Sequence, residues 1–135
     1  MRIVKVYLIR YPSDSPVAVA FFFETSEDGT GQVYEVTCSP ESKMVLAHRD
    51  IFAGAEDEFE QLRSDGTGKV YLGSIFDELF SGVWSSLNTV PLPEQEGRNM
   101  ESVSEWAGIV INRLVTRCRL RVVEGLDLEK LLGEL

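Results

Sequence analysis

The chain has 135 residues, the size of one ordinary domain, and it is 44% hydrophobic and 26% charged, as is typical of a soluble globular protein. Its 13 basic and 22 acidic residues leave a formal net charge of -9, which argues against attraction to nucleic-acid phosphate or to an anionic membrane. The longest apolar run, residues 17–23, is much shorter than the ~20 residues that cross a bilayer. We therefore expect no nucleic acid and no membrane as partner.

The first half of the chain predicts strands. Residues 3–9 are rich in β-branched and aromatic side chains, and residues 17–24 are apolar on both faces, as in the middle of a covered sheet. The turn-forming segment 26–31 joins this second strand to an alternating strand at 32–38, so the two strands are predicted to form an antiparallel hairpin. A shorter fourth strand is predicted at 43–49.

The middle of the chain predicts a short acidic surface helix at 55–63 and a short strand at 69–72. A longer helix is predicted to begin at Ser74, which would be its N-cap, with Asp77 at the spacing of a capping box. Apolar residues recur at helical intervals from there to Leu87.

The last part of the chain begins with a predicted loop at 88–100, which holds two prolines and no periodicity. A second helix is predicted from Ser102, followed by a strand at 120–123 and a closing helix at 126–135. The buried stripe of the second helix comprises Val103, Trp106, Val110 and Leu114. Together the elements predict a single α+β domain over 1–135, an antiparallel β-sheet with two to four helices packed on it.

The cysteines indicate a reducing compartment. Cys38 and Cys118 form no CxxC pair, and with the one histidine they fall short of the four ligands of a structural zinc site. The N-terminal segment carries charges at Arg2, Lys5 and Arg10, so no uninterrupted apolar segment follows a basic start, as a signal peptide would need. We expect a cytoplasmic protein with two half-buried thiols, no metal and no cofactor.

Two strand residues are candidates for chemistry. If the face of the sheet that carries Glu35 is covered, Glu35 would be a general base, with Tyr34 or His48 assisting. If that face is solvated, Glu35 is one of the polar residues that alternate with apolar residues along the strand. His48 is either a surface residue or the partner of Cys38, which lies across the turn that follows the third strand. Cys38 is otherwise a small buried hydrophobe.

The order of these elements, with the segments VYLIR, AVAFFFE, VYEVT and SVSEWAG, resembles small fungal proteins. Those proteins are similar to the NlpC-type and lecithin:retinol acyltransferase-like group of permuted papain-like thiol hydrolases and acyltransferases. In that group a cysteine opens a helix, where free N–H groups stabilise the thiolate, and a strand histidine accepts its proton. The resemblance implies a papain-like core.

Matching this chain to the group anchors the helix at Trp106 and places Val103 at the position of the cysteine. The first histidine falls at Val19 or Ala20 and the second at Glu35. The resemblance therefore implies a degenerate scaffold, with its nucleophile and its proton acceptors replaced. Ser102 and Ser104 flank the position of the nucleophile, but Ser102 is the expected N-cap and no histidine is placed to activate either hydroxyl.

A cleft without this chemistry would suit a small apolar ligand or a side chain of a protein partner. Its expected lining is Phe21, Phe23, Tyr34, Val103, Ser104 and Trp106. The first hypothesis is accordingly a non-catalytic binding or protein-interaction domain, monomeric or homodimeric. The alternatives are a small-molecule enzyme of the secondary-metabolite type, with acid/base chemistry at Glu35, and a thiol hydrolase that uses a Cys/His pair.

Overall fold

The architecture was obtained from a computed structural model, which describes residues 2–11, 17–38, 44–52, 68–92 and 100–133. Six strands in these ranges form one antiparallel sheet with the spatial order β4-β3-β2-β1-β5-β6. The strands are β1 (Ile3–Arg10), β2 (Val17–Glu24), β3 (Gly31–Cys38), β4 (Met44–Ile51), β5 (Gly68–Phe76) and β6 (Arg121–Val122). The α+β class is therefore confirmed. The helix predicted at 55–63 lies outside the described residues.

Strand β2 occupies the middle of the sheet because it is apolar on both faces. Phe21 and Phe23 belong to the core on the side of the helices, whereas Ala20 and Phe22 belong to a smaller cluster on the opposite side. All four residues are fully buried. The hairpin with β3 is also confirmed, and Gly29, with φ of 90°, turns the chain between the two strands.

The described helices pack against one face of the sheet. They are α1 (Asp77–Phe80), α2 (Val83–Asn88), α3 (Met100–Arg117) and α4 (Leu128–Gly133). The predicted stripe of α3 is confirmed, since Val103, Trp106, Val110 and Leu114 are buried in the core beside the side chains of β2. Because α3 begins at Met100, Ser102 lies inside the helix, and its prediction as the N-cap is wrong.

The prediction of a helix from Ser74 to Leu87 is wrong at its N-terminus. Strand β5 continues to Phe76, because Ser74 pairs with β1 and β6 and Ile75 fills the core as a strand residue. The helical part then divides into α1 and α2 at the turn Ser81–Gly82. Pairing with distant strands overrides the local capping pattern here.

The other boundaries differ by a few residues. Strand β4 runs to Ile51, β6 has two residues, and α4 begins at Leu128. Within the described ranges, no helix combines the length and the apolar character needed to span a membrane.

Candidate interaction site at the edge of the sheet

Strand β4 forms one edge of the sheet, since within the described ranges it pairs with β3 alone. It is eight residues long, and the side chain of Val45 is 45% exposed. Phe52, directly after the strand, is 69% exposed. Proteins often protect an edge strand by keeping it short or by placing charged side chains, especially Lys, or Pro on it, because its outer N–H and C=O groups can pair with another chain. β4 carries Arg49 and Asp50 near its C-terminal end, but neither a Lys nor a Pro.

Three rings meet beside this edge, on the face of the sheet that the helices cover. His48 lies directly opposite Tyr34 in the β3–β4 register, and their rings stack at 5.7 Å. The ring of Trp84, from α2, lies 4.5 Å from that of His48 and 5.9 Å from that of Tyr34. Trp84 is 38% exposed and His48 is exposed, so both rings reach solvent. We call these three residues the aromatic edge.

The aromatic edge rests on the core. Tyr34 is only 3% exposed, and its hydroxyl donates a hydrogen bond to Oε1 of Gln32 at 2.9 Å. Beneath it, the ring of Phe23 makes an edge-to-face contact with Tyr34 at 5.2 Å and a tilted contact with Phe80 at 5.7 Å. Burial raises the pKa of Tyr34, and the nearby carboxylate of Asp50 raises it further, so the phenol stays protonated and acts as a hydrogen-bond donor.

Glu35 lies on the opposite face of the sheet, because neighbouring residues of a strand point to opposite sides. Its Oε1 accepts hydrogen bonds from Nη2 of Arg49 at 2.9 Å and from Nε of Arg49 at 3.1 Å. The side chains of Glu35 and Arg49 are 13% and 42% exposed. The structure therefore brings Tyr34 and His48 together but does not bring Glu35 to them. The ion pair also holds Arg49, the one Lys or Arg residue of β4, against the side chain of Glu35 on β3.

The residues expected to line a cleft lie together in the core between α3 and the sheet. Trp106 contacts Phe21 with ring centroids 5.9 Å apart, and Val103 and Phe23 are buried in the same cluster. The indole N–H of Trp106 is buried without a hydrogen-bond partner among the described residues. Ser104 instead donates a hydrogen bond to the carbonyl of Leu132 at 2.8 Å, which ties α3 to α4.

The cysteines lie apart from the histidine. The register pairs Cys38 with Met44, four residues along β4 from His48, so the two residues do not face each other. Cys118 is 1% exposed, its Sγ lies 3.8 Å from Oγ of Ser86, and burial raises the pKa of its thiol. A buried neutral thiol is a poor nucleophile.

Trp84 is the functional candidate that sequence reasoning missed. Trp84 falls within the apolar residues that predict one long helix up to Leu87. Ser81 and Gly82 interrupt these apolar residues, and this interruption is the signal in the sequence that the orientation of Trp84 could differ. Among the described residues, no three side chains of His, Cys, Asp or Glu are arranged to hold a metal ion.

Comparison with known proteins identifies a family. A family model described as a family of unknown function, DUF6540, matches residues 6–120, a range that includes β4 and the aromatic edge. No curated protein and no solved structure matches the chain.

Proposed function

Since the chain belongs to the DUF6540 family of unknown function, we propose its function from its own geometry: it is a protein-interaction domain that binds an extended polypeptide segment along β4. The observation that carries this proposal is the long, exposed edge strand with apolar side chains at both ends. Addition of a strand to such an edge is a common mode of peptide recognition, in which backbone hydrogen bonds supply affinity and alternate side chains supply specificity.

The aromatic edge supports the same proposal. Tryptophan and tyrosine are enriched among the residues that dominate binding energy at interfaces, because a large, rigid ring buries much area at little entropic cost. Trp84 is held in place by Tyr34 and His48 while more than a third of its surface faces solvent. A segment added to β4 would cover this surface.

The surroundings of the candidate catalytic side chains favour binding over catalysis. Glu35 forms an ion pair with Arg49, Cys118 is buried beside Ser86, and the ring neighbours of His48 are aromatic. A nucleophilic thiol needs an activating base beside it, and the described hydrogen-bonding neighbour of the Cys118 thiol is a serine hydroxyl. Oε1 of Glu35 already accepts two hydrogen bonds from Arg49.

We also propose that the framework is a degenerate thiol-hydrolase-like scaffold with a papain-like core. In support, Val103, at the position of the cysteine, and Val19, one of the two residues at which the first histidine would fall, are 1% and 0% exposed within the same apolar core. Glu35, at the position of the second histidine, lies on the opposite face of the sheet. Incubation with an activated ester, followed by mass spectrometry of the intact protein, is expected to give no acyl adduct. A stoichiometric adduct on a serine or cysteine would overturn the non-catalytic part of the proposal.

The interaction proposal is tested with a displayed library of random octapeptides selected against the immobilised protein. We expect the selected peptides to bind Trp84→Ala about 10- to 30-fold more weakly, as for an interface residue that contributes about 2 kcal/mol. Methylation of alternate backbone nitrogens in a selected peptide is expected to abolish binding. Ile109→Ala is the matched control, since Ile109 is also apolar and is 45% exposed, but lies on α3.

Failure would be recognisable in two ways. Either no peptide is enriched over the bare support, or the selected peptides bind the wild type, Trp84→Ala and Ile109→Ala equally. Circular dichroism of each variant separates loss of binding from loss of fold.

A further inference from the structure

We infer that the segment bound at β4 is a basic strand of a different protein, with Lys or Arg at alternate positions and small aliphatic side chains between them. This inference rests on the proposed function, and it concerns the chemistry of the partner. It follows from the two faces of β4, which differ in charge and in polarity.

The face on the side of the helices attracts cations. His48 and Asp50 lie on this face, since the register pairs them with Tyr34 and Gln32 of β3. A Lys or Arg of an added strand at this level would lie beside the exposed ring of Trp84, the best ring for a cation–π contact. It would also meet the carboxylate of Asp50, which pairs with no cation among the described residues.

The opposite face suits small apolar groups better than cations. It carries Val45 and Ala47, which are exposed, and the guanidinium of Arg49, whose side chain is 42% exposed. A Lys or Arg of the partner on this face would find the carboxylate of Glu35 already paired with Arg49. A valine-sized side chain would instead cover Val45 and Ala47. The two faces together select alternation of basic and aliphatic residues.

The charge of the whole molecule favours a different protein over a second copy. Each chain carries a formal net charge of -9, so two copies repel each other, whereas a basic segment is drawn toward the protein over the screening length of the solution. Electrostatic complementarity of this kind raises the association rate and excludes partners of the wrong charge.

The test uses three labelled octapeptides in which Val alternates with Lys, with Thr or with Glu. In fluorescence anisotropy the Lys/Val peptide is expected to bind at least about tenfold more tightly than the other two, and added salt is expected to weaken it. Asp50→Asn is expected to weaken this peptide several-fold, and so is Trp84→Leu, which keeps an apolar side chain but removes the aromatic face. Glu105→Gln is the matched control, because it removes one exposed acidic charge from α3.

The outcomes separate the inference from the proposed function. One outcome would be that the Thr/Val or the Glu/Val peptide binds as tightly as the Lys/Val peptide and binds Trp84→Ala more weakly. The edge strand would then bind peptides as proposed, but the inference of a basic partner would be wrong. If Asp50→Asn and Glu105→Gln weaken the Lys/Val peptide equally, the attraction is non-specific, and the inference also fails. A dimer in sedimentation that dissociates on Trp84→Ala would show that the occupant is a second copy. If no peptide depends on Trp84 and the chain stays monomeric, the proposed function itself fails.

Discussion

Arg119 holds a backbone conformation that side chains normally avoid. Its φ is 56°, in the left-handed region, at the point where the chain leaves α3 for β6. The cost for a residue with a Cβ atom is roughly 1–2 kcal/mol. Neighbouring contacts hold it there: the amide of Leu120 donates to the carbonyl of Leu114 at 2.9 Å, and the side chain of Leu120 is buried in the core.

Arg119→Gly is therefore expected to raise the free energy of unfolding by about 0.5–1 kcal/mol, because glycine adopts this conformation freely but loses more entropy on folding. Urea denaturation monitored by circular dichroism measures the change. Arg119→Ala controls for the loss of charge and is expected to give no gain, since alanine retains the Cβ atom. An equal gain in both variants would attribute the effect to electrostatics and contradict the backbone explanation.

At the level of elements, the hairpin of β2 and β3 depends on close packing of the two backbones where Gly31 of β3 pairs with Glu24 of β2. Gly31 lies beside Glu24 of β2 and Ile51 of β4, so it belongs to the three strands that position the aromatic edge. A Cβ atom at Gly31 would overlap the carbonyl oxygen of Phe23 and lie 2.9 Å from a ring carbon of Phe22. The backbone carbonyl has no room to move away without disturbing the ladder.

We expect Gly31→Ala to lower the free energy of unfolding by about 1–3 kcal/mol, the usual cost of overpacking. Gly133→Ala is the matched control, since a Cβ atom there meets nothing within 4 Å and Gly133 ends α4. The control is expected to leave stability unchanged or to raise it by up to about 1 kcal/mol. Equal midpoints of thermal unfolding for Gly31→Ala and the wild type would show that the hairpin tolerates the extra atom.

For the whole molecule, three weak acids are desolvated in different parts of the fold. Burial is the main cause that raises the pKa of Tyr7, of Tyr34 and of Cys118 above their ordinary values of 10.0, 10.0 and 9.0. Below these values both the folded and the unfolded states are protonated, so these groups do not change the free energy of unfolding. As pH rises above them, the unfolded state ionises first and is stabilised relative to the folded state.

The free energy of unfolding is accordingly expected to fall as pH rises above about 9, first through Cys118 and then through the two tyrosines. Urea denaturation at a series of alkaline pH values measures the decline. Cys118→Ala and Tyr7→Phe are each expected to make it less steep, because neither replacement ionises. A decline of the same steepness in both variants, or none in the wild type, would contradict this assignment.

Much of the fold follows from the sequence by itself. Three elements are predicted by local patterns: the alternating residues 32–38, the residues 17–24 that are apolar on both faces, and the helical spacing from Val103 to Leu114. Each pattern predicts its element because side chains return to the same side every 3.6 residues in a helix and every 2 residues in a strand. The expectation of buried side chains at Phe21, Phe23 and Trp106 follows from the same periods.

Tertiary structure decided the remaining features, because contacts between residues that are distant along the chain leave no periodic pattern in the sequence. It extended β5 through Ser74, which pairs with strands from both ends of the sequence, and it placed Trp84 on the ring of His48. It also paired Glu35 with Arg49, 14 residues away, on the face opposite the helices. The aromatic edge and the charges beside it exist only once β3, β4 and α2 have been brought together by burial of the core.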